Sequence, residues 1–418
     1  MHPKASLLIV PAMLSLAAAL PAAEPELKIS PTIYFQTRAD INSGTTSTGD
    51  DYTPGTEGTS AVEGDTVDFY LRRARVGAKF TYGNWSGRIL LESDNAFRNG
   101  TTSKNGSASG ETTGRFLTSI SGTTANAVTK SNGYSNGSLD VGLYDVYATY
   151  VLKGDAVNHE FRAGVYTAVF NPSDYYSSGA HAFAASAITQ NLISNRQAGV
   201  GYTLDHEVVD LSLDIQNVKG DGTSGQGLGG DGDGLWISGR AVLTLPGEWN
   251  IGKWQESFAG AEGQGVALGL EYATQDDQTA TTVTTETTSY GIDVLLHMDG
   301  LTALAEYRGQ TDDNGTAEKD STVWRIQAAY AFPVADTGYF IEPALRYGSY
   351  DADTDNDNEA GNFGTSDYGT ASGDEIDVGV NWLISGNKNK ISMLYTTWSA
   401  EEGDGDASIF RVQHQISF

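Results

Sequence analysis

Apolar and polar side chains alternate one by one through most of the chain. In the last ten residues, apolar side chains from Phe410 to Phe418 share one face, and polar side chains from Arg411 to Ser417 share the other. Successive side chains of a β-strand point to opposite faces, so this period of two predicts a strand with one apolar face. The same pattern predicts sixteen strands, at residues 29–41, 66–82, 84–94, 139–152, 159–170, 196–205, 207–219, 235–245, 265–275, 288–298, 301–310, 322–333, 339–350, 375–385, 390–399 and 408–418.

These strands predict an all-β fold, a transmembrane antiparallel β-barrel. The even number of strands and their length of ~10 residues suit a bacterial barrel whose tilted strands cross a bilayer. Long polar connections such as 42–65 and 95–138 alternate with short ones such as Asp299–Gly300. This asymmetry is typical of barrels with short periplasmic turns and long extracellular loops. The connection 246–264 is an exception, because it is long where a short turn is expected.

The amino terminus begins with a short apolar stretch. Lys4 precedes a mostly apolar segment from Ala5 to Leu20, and small residues follow up to Ala23. This order is typical of a secretory signal peptide, and the segment is shorter than the ~20 residues that a spanning helix needs. We therefore predict a signal peptide at 1–23 and a single barrel domain at 24–418, in the outer membrane of a Gram-negative bacterium.

Composition argues against several classes of function. The net charge of −28 and the pI near 4.4 argue against a nucleic-acid partner. The chain has no cysteine, and its six histidines show no paired-ligand spacing, so we predict no metal and no cofactor. A barrel enzyme such as a lipase would need a lipid-facing Ser–His pair. We find none and expect no enzymatic activity.

Most basic side chains fall on the polar face of a predicted strand. The alternation points these candidates into the barrel: Arg38, Arg73, Arg75, Lys79, Arg88, Arg162, Arg240, Arg308, Arg325 and Arg346. Guanidinium groups stay charged and bind phosphate or carboxylate through paired donors, so this lining favours anions. Acidic side chains such as Glu92, Glu306 and Asp377 also point inward, and a mixed wall gives only a modest preference.

The second strand cannot keep one register. Phe69 shares a face with Arg73, Arg75 and Lys79, and a lipid-facing arginine near the bilayer midplane costs about 2–4 kcal/mol. A β-bulge near Arg72–Arg73 would switch the register and turn these cations into the lumen. The alternative is that some of them lie at the membrane boundary and extend to lipid headgroups.

One long connection, residues 171–195, is more apolar than the others. It contains Tyr175, Tyr176, His181 and Phe183, so we expect it to pack against other side chains. We predict that it enters the lumen as a constriction loop that narrows the pore. The alternative is a surface loop or a contact between subunits.

Six segments carry a family pattern. They are Phe69–Gly77 (FYLRRARVG), Trp85–Glu92 (WSGRILLE), Phe161–Phe170 (FRAGVYTAVF), Glu342–Tyr347 (EPALRY), Val380–Trp382 (VNW) and Arg411–Phe418 (RVQHQISF). With them the chain resembles the phosphate-selective porin O and P family of outer-membrane channels. The resemblance implies a sixteen-stranded barrel that forms a homotrimer and passes anions. In that family lysines and arginines near the constriction bind phosphate, whereas 171–195 has neither and includes Asp174, which weighs against phosphate selectivity.

The combined prediction is an outer-membrane porin whose water-filled channel passes small anionic solutes by passive diffusion, with phosphate as a candidate. A general non-selective porin and a structural or adhesive surface barrel are the alternatives. Further expected partners are outer-membrane lipid, lipopolysaccharide and the barrel-assembly machinery. The last of these would recognise the C-terminal strand, with Phe418 as a membrane-insertion signal.

Overall fold

A single antiparallel sheet makes up the fold. The computed structural model describes residues 25–44, 66–96, 142–170, 178–184, 196–218, 234–245, 256–257, 264–278, 284–313, 318–351, 372–400 and 407–418. The strands are β1 (Lys28–Gly44), β2 (Thr66–Tyr82), β3 (Trp85–Ala96), β4 (Gly142–Lys153), β5 (Val157–Thr167), β6 (Arg196–His206), β7 (Val209–Asn217), β8 (Leu235–Thr244), β9 (Gln264–Gln278), β10 (Thr284–Met298), β11 (Leu301–Asp313), β12 (Glu318–Tyr330), β13 (Phe332–Val334), β14 (Tyr339–Asp351), β15 (Gly373–Leu383), β16 (Asn389–Ala400) and β17 (Ala407–Ser417).

The sheet closes on itself as a barrel. Each strand pairs with its neighbours in the chain, and β1 pairs with both β2 and β17. Strand β12 and the short β13 both pair with β14, so they share one place and the barrel has sixteen strands. The ladder is interrupted between Ala329 and Phe332, opposite Pro343 of β14, which has no backbone N–H to donate. The predicted transmembrane barrel is confirmed.

All sixteen predicted strands are present, and several extend beyond their predicted bounds, among them the hairpin of β9 and β10. β9 continues to Gln278 and β10 begins at Thr284, in a segment that the sequence suggested as a loop. The added residues include a run of threonines, whose β-branched side chains favour extended backbone. Hydrogen bonding between the two strands therefore continues beyond the apolar part of the hairpin.

The two faces of the sheet differ in polarity. Large apolar side chains are exposed on the outer face, for example Leu345 at 56% and Ile326 at 52%. Their neighbours Arg346 and Arg325 point inward and are each 1% exposed. An apolar exterior around a polar interior is the pattern of a membrane barrel, which confirms the predicted faces of these strands.

The predicted bulge in β2 is present. Gln36 pairs with Arg73 and Thr37 pairs with Leu71, which makes Arg72 the extra residue. On one side of the bulge Phe69 faces outward and is 71% exposed, and on the other side Arg73 faces inward. One inserted residue thus keeps the phenylalanine outside and the arginine inside.

The carboxyl terminus completes the barrel. The amide of Phe418 donates a hydrogen bond of 2.9 Å to the carbonyl of Ile33, next to the β1–β17 ladder. The Phe418 side chain is 75% exposed on the outside.

Helical structure in the described ranges amounts to one 3-10 turn at Ser178–Ala180. No helix in those ranges is long and apolar enough to cross a membrane.

Candidate pore and its lining

Residues 178–184, called here the lumen segment, lie inside the barrel. Lys390 Nζ donates a hydrogen bond of 2.7 Å to the carbonyl of His181, and Asn381 Nδ2 donates one of 2.7 Å to the carbonyl of Ala182. Both donors are inward-facing side chains of the last strands. The lumen segment therefore covers part of the inner wall formed by β14 to β17.

Phe183 anchors the lumen segment through apolar contacts. It is 4% exposed and packs in a cluster that includes Ala329, Ala344 and Leu394. The guanidinium carbon of Arg346 lies 4.6 Å from the centroid of its ring. His181 and Phe183, two of the four residues predicted for the constriction loop, thus lie in the interior; Tyr175 and Tyr176 fall outside the described residues.

A second connection also reaches the interior. Glu256 and Ser257, called here the inner dipeptide, belong to the long connection between β8 and β9. Arg325 Nη2 donates to Glu256 Oε1 over 3.1 Å, and Ser257 Oγ donates to Glu342 Oε1 over 2.9 Å. The unexpected insertion at 246–264 thus places two polar residues against the inner wall, which the sequence did not suggest.

Buried charges surround His181 and Glu256. Burial lowers the pKa of the His181 imidazole below 6.5, and Arg325 and Lys390 lower it further although Glu256 raises it. Burial acts to raise the pKa of the Glu256 carboxyl, but His181 and two arginines, Arg325 and Arg346, together lower it to about 2. At neutral pH the site therefore holds a neutral imidazole beside an ionised carboxylate.

The wall formed by β2 to β6 carries arginines that share carboxylates. Arg73 Nε lies 3.3 Å from Glu92, which also pairs with Arg75, and Arg88 Nη1 lies 3.1 Å from Asp145. Asp145 also pairs with the guanidinium of Arg196, a residue missing from the predicted lining although it opens a strand that the alternation identified.

Tyrosine rings lie between these arginines. The guanidinium carbons of Arg75 and Arg196 are 4.2 Å and 3.7 Å from the centroid of the Tyr144 ring. Arg162 lies 5.3 Å from the centroid of Tyr147 and pairs with Glu160 over 2.7 Å. The stacked rings hold the guanidinium groups in defined positions along the wall.

A compact ion cluster lies on β8 to β11. Arg240 Nη1 is 2.6 Å from Glu271 and 2.6 Å from Asp293, and Arg308 Nη2 is 2.6 Å from Glu271. Gly269 makes room for this cluster, because an added Cβ there would collide with Asp293 and Arg240. These guanidinium groups are therefore occupied by carboxylates of the wall itself.

The remaining wall, from β12 to β17, continues the same pairing. Arg325 Nε donates to Glu306 over 2.7 Å, and Arg346 Nε donates to Asp377 over 2.6 Å. Arg38 on β1 donates to Gln413 Oε1 over 2.8 Å from Nη2. On this side the cations are almost fully enclosed.

Lys79 completes the set of predicted lining residues. By alternation it shares the inner face of β2 with Arg73 and Arg75, and its side chain is exposed near the end of the strand that leads into the short turn at Gly83. Nine of the ten basic residues predicted from the alternation make the inward contacts described above, and the inward position of Lys79 stays a prediction. The described ranges contain no group of three or more His, Asp or Glu side chains arranged to hold a metal ion.

Comparison with known proteins shows the fold. No family model matches the chain, and no curated protein matches it. Among solved structures the chain is similar to an anion-selective porin from Comamonas acidovorans (10% identity, 94% of this chain and 100% of that chain, TM-score 0.53). It is also similar to the outer membrane channel DcaP of Acinetobacter baumannii (10% identity, 94% and 97%, TM-score 0.53). The chain has a porin-like outer-membrane barrel fold.

One inference from the sequence needs correction, namely the exclusion of an enzyme. The chain is also similar to OmpT, an outer membrane protein of Vibrio cholerae, in its trimer form (11% identity, 94% and 99%, TM-score 0.50). A likeness at this identity shows a shared fold, and one fold can carry unrelated activities. The prediction that the protein has no enzymatic activity was therefore wrong, because a barrel of this fold does not by itself exclude an enzyme.

Proposed function

We propose that the protein is an outer-membrane porin that passes small anionic solutes by passive diffusion along the wall formed by β2 to β6. The observation that carries this proposal is the uneven exposure of the inner arginines. Side chains of Arg88 and Arg162 are 25% and 19% exposed, whereas those of Arg325 and Arg346 are 1% exposed. Cations that line a water-filled pore attract anions. The enclosed Arg325 and Arg346 are each neutralised by two carboxylates of their surroundings.

The position of the lumen segment supports this path. It packs against β14 to β17. The inner dipeptide packs against β11, β12 and β14. Both cover the wall on which the arginines are enclosed. The side formed by β2 to β6 carries the more exposed arginines and is the proposed route for solute.

A general, weakly selective porin is the second candidate. Arg88 shares Asp145 with Arg196, and Arg73 shares Glu92 with Arg75, so carboxylates partly neutralise the proposed route. Phosphate selectivity, and membership of the phosphate-selective porin O and P family, rest on the sequence segments alone. The carboxylates and the lack of basic residues in 171–195 weigh against a tight phosphate site.

A planar bilayer experiment separates these candidates. We expect an anion-selective reversal potential across a KCl gradient, which shifts toward zero in Arg88→Gln and Arg162→Gln. Lys153→Gln, with the same charge change on an exposed residue at the end of β4, is the control and leaves the potential unchanged. Equal potentials in all four proteins contradict the proposed route. Block of chloride current by added phosphate distinguishes a phosphate channel from a general anion porin.

The proposed environment is the outer membrane of a Gram-negative bacterium, reached after removal of the signal peptide at 1–23. A homotrimer is proposed as the assembly, with lipid and lipopolysaccharide around it. The exposed Phe418 supports recognition of the last strand by the barrel-assembly machinery. Cross-linking in isolated outer membranes tests the trimer, and deletion of Phe418 tests the insertion signal through the amount of heat-modifiable barrel.

A further inference from the structure

Two connections from opposite ends of the barrel meet inside it. The lumen segment belongs to the connection between β5 and β6, at the end that carries the long loops. The inner dipeptide belongs to the connection between β8 and β9, at the end that otherwise carries short turns. The backbone amide of Ser257 donates a hydrogen bond of 2.8 Å to the carbonyl of Ala180.

The inner dipeptide is itself fastened to the wall through its backbone as well as its side chains. The carbonyl of Glu256 accepts a hydrogen bond of 2.8 Å from Thr302 Oγ1, and the carbonyl of Ser257 accepts one of 3.1 Å from Asn387 Nδ2. Glu256 and Ser257 are 2% and 0% exposed. Buried polar groups that are this fully bonded hold one position, because leaving any of them without a partner is costly.

Nothing in the closure of the barrel needs this dipeptide. Strands β8 and β9, which flank the insertion, pair directly with each other from Trp236 and Gln275 to Thr244 and Ala267 without interruption. The contact with Ala180 fixes the lumen segment at its 3-10 turn, close to where Lys390 and Asn381 hold the following residues. The dipeptide therefore acts on the lumen segment rather than on the sheet.

We propose that Glu256 and Ser257 are positioning residues that hold the lumen segment against the wall and thereby set the open cross-section of the channel. The consequence for conductance rests on the proposed function, whereas the contact itself does not. With the dipeptide removed, the lumen segment loses its support from the short-turn end and departs from the wall more often. The channel cross-section then fluctuates.

A cysteine pair tests the contact directly. The chain has no cysteine of its own, and a backbone hydrogen bond brings two Cα atoms close to the range of about 4.4–6.8 Å that a disulfide needs. Ala180→Cys combined with Ser257→Cys should form a disulfide in intact outer membranes when added copper phenanthroline and oxygen accept the two electrons that the thiols lose. Ala180→Cys combined with Glu207→Cys, in the exposed turn between β6 and β7, is the matched control and should not.

Conductance tests the consequence. In Ser257→Pro, which removes the neutral amide donor to Ala180, we expect the ratio of undocked to docked lumen segment to rise about two- to tenfold. In Glu256→Ala, which removes the charge-assisted hydrogen bond that anchors the inner dipeptide to Arg325, we expect a rise of at least about tenfold. This should appear as larger and noisier single-channel currents. Glu207→Ala removes the same charge at the same end and should conduct like the wild type. The disulfide pair in the Glu256→Ala background should restore quiet currents until it is reduced.

The outcomes are distinct. A wild-type protein that does not conduct contradicts the proposed function, while the yield of the disulfide still decides whether the two connections meet. Failure of the Ala180–Ser257 pair to cross-link overturns the positioning role. Currents of Glu256→Ala and Ser257→Pro that match those of Glu207→Ala overturn it as well.

Discussion

Arg346 covers the ring of Phe183, with its guanidinium carbon 4.6 Å from the ring centroid. The same guanidinium donates to Asp377 over 2.6 Å. One side chain of β14 thus joins the ion pairs of the wall to the apolar anchor of the lumen segment. Because the ring lies over the cation, Phe183 shields Arg346 from the channel water.

Replacement of Phe183 should widen the channel and expose a cation. Phe183→Ala loses the contacts with Ala329, Ala344 and Leu394, and truncating a buried phenylalanine costs about 3–5 kcal/mol. We expect higher single-channel conductance and a stronger anion preference in the reversal potential. Phe69→Ala, on the outer face, is the control. Unchanged currents in Phe183→Ala would show that the lumen segment does not restrict the pore.

Acid should loosen the lumen segment through His181. Burial holds the pKa of the docked imidazole below 6.5. At acid pH the undocked segment therefore binds a proton that the docked segment does not bind. Docking is therefore strongest above the ordinary histidine pKa and weakens as the pH falls below 6.5. Glu256, whose pKa is lowered from 4.5 to about 2, stays ionised over this window, and its contribution to docking is lost only as the pH falls from 4.5 toward 2.

The measurement is conductance between about pH 7.5 and about pH 5, the interval around the ordinary histidine pKa. The wild type should show a rise in conductance and noise toward acid pH. His181→Asn cannot gain the proton and should lose this response, while His206→Asn, at the last residue of β6, should keep it. An identical acid response in His181→Asn would exclude His181 as its origin.

Deletion of Arg72 should leave folding nearly unchanged. The shortened β2 alternates without a bulge, so Phe69 stays outside while Arg73 stays inside. Deletion of Ala74 should instead disturb folding, because it makes Arg73 and Arg75 neighbours and turns one of them toward lipid, which costs about 2–4 kcal/mol near the midplane. The amount of heat-modifiable folded barrel should stay near wild type in the first deletion and fall in the second; equal amounts would contradict the assignment of Arg72 as the bulged residue.

Removal of Arg240 should destabilise the barrel strongly. It leaves Glu271 and Asp293 with fewer partners in a nearly closed site, and breaking a buried ion pair costs about 3–5 kcal/mol. Arg88→Leu removes a more exposed pair, for which about 0–1 kcal/mol is expected. Urea unfolding in lipid vesicles compares the two. If Arg240→Leu lowered the free energy of unfolding no more than Arg88→Leu does, water would have to reach the cluster around Arg240.

Sequence alternation was sufficient for the strands and for their faces. Arg325 and Arg346 could be assigned to the lumen without coordinates, because one residue of shift would move every side chain of the strand to the other face. The bulge at Arg72 was also predictable, since Phe69 and Arg73 cannot both face lipid at low cost. These features depend on neighbours in the same strand.

Other features depended on residues far apart in the chain. Arg240 contacts Asp293 across the intervening strand β9, and only the strand registers together with the space left at Gly269 bring these two side chains into contact. The sequence showed inward cations and inward acids but not which of them pair, so it could not show which arginines remain accessible.

By itself, the sequence determined a sixteen-stranded barrel with an apolar exterior and a charged interior. Alternation with a period of two shows which side chains of each strand face lipid and which face the interior. The tertiary structure decided which wall the lumen segment covers and which arginines remain more exposed. It brought Ser257 to Ala180 from opposite ends of the barrel, and that contact has no local pattern. The connections between strands lack this alternation. Their position therefore depends on the hydrogen bonds that they form with side chains of the barrel wall, which only the closed barrel brings together.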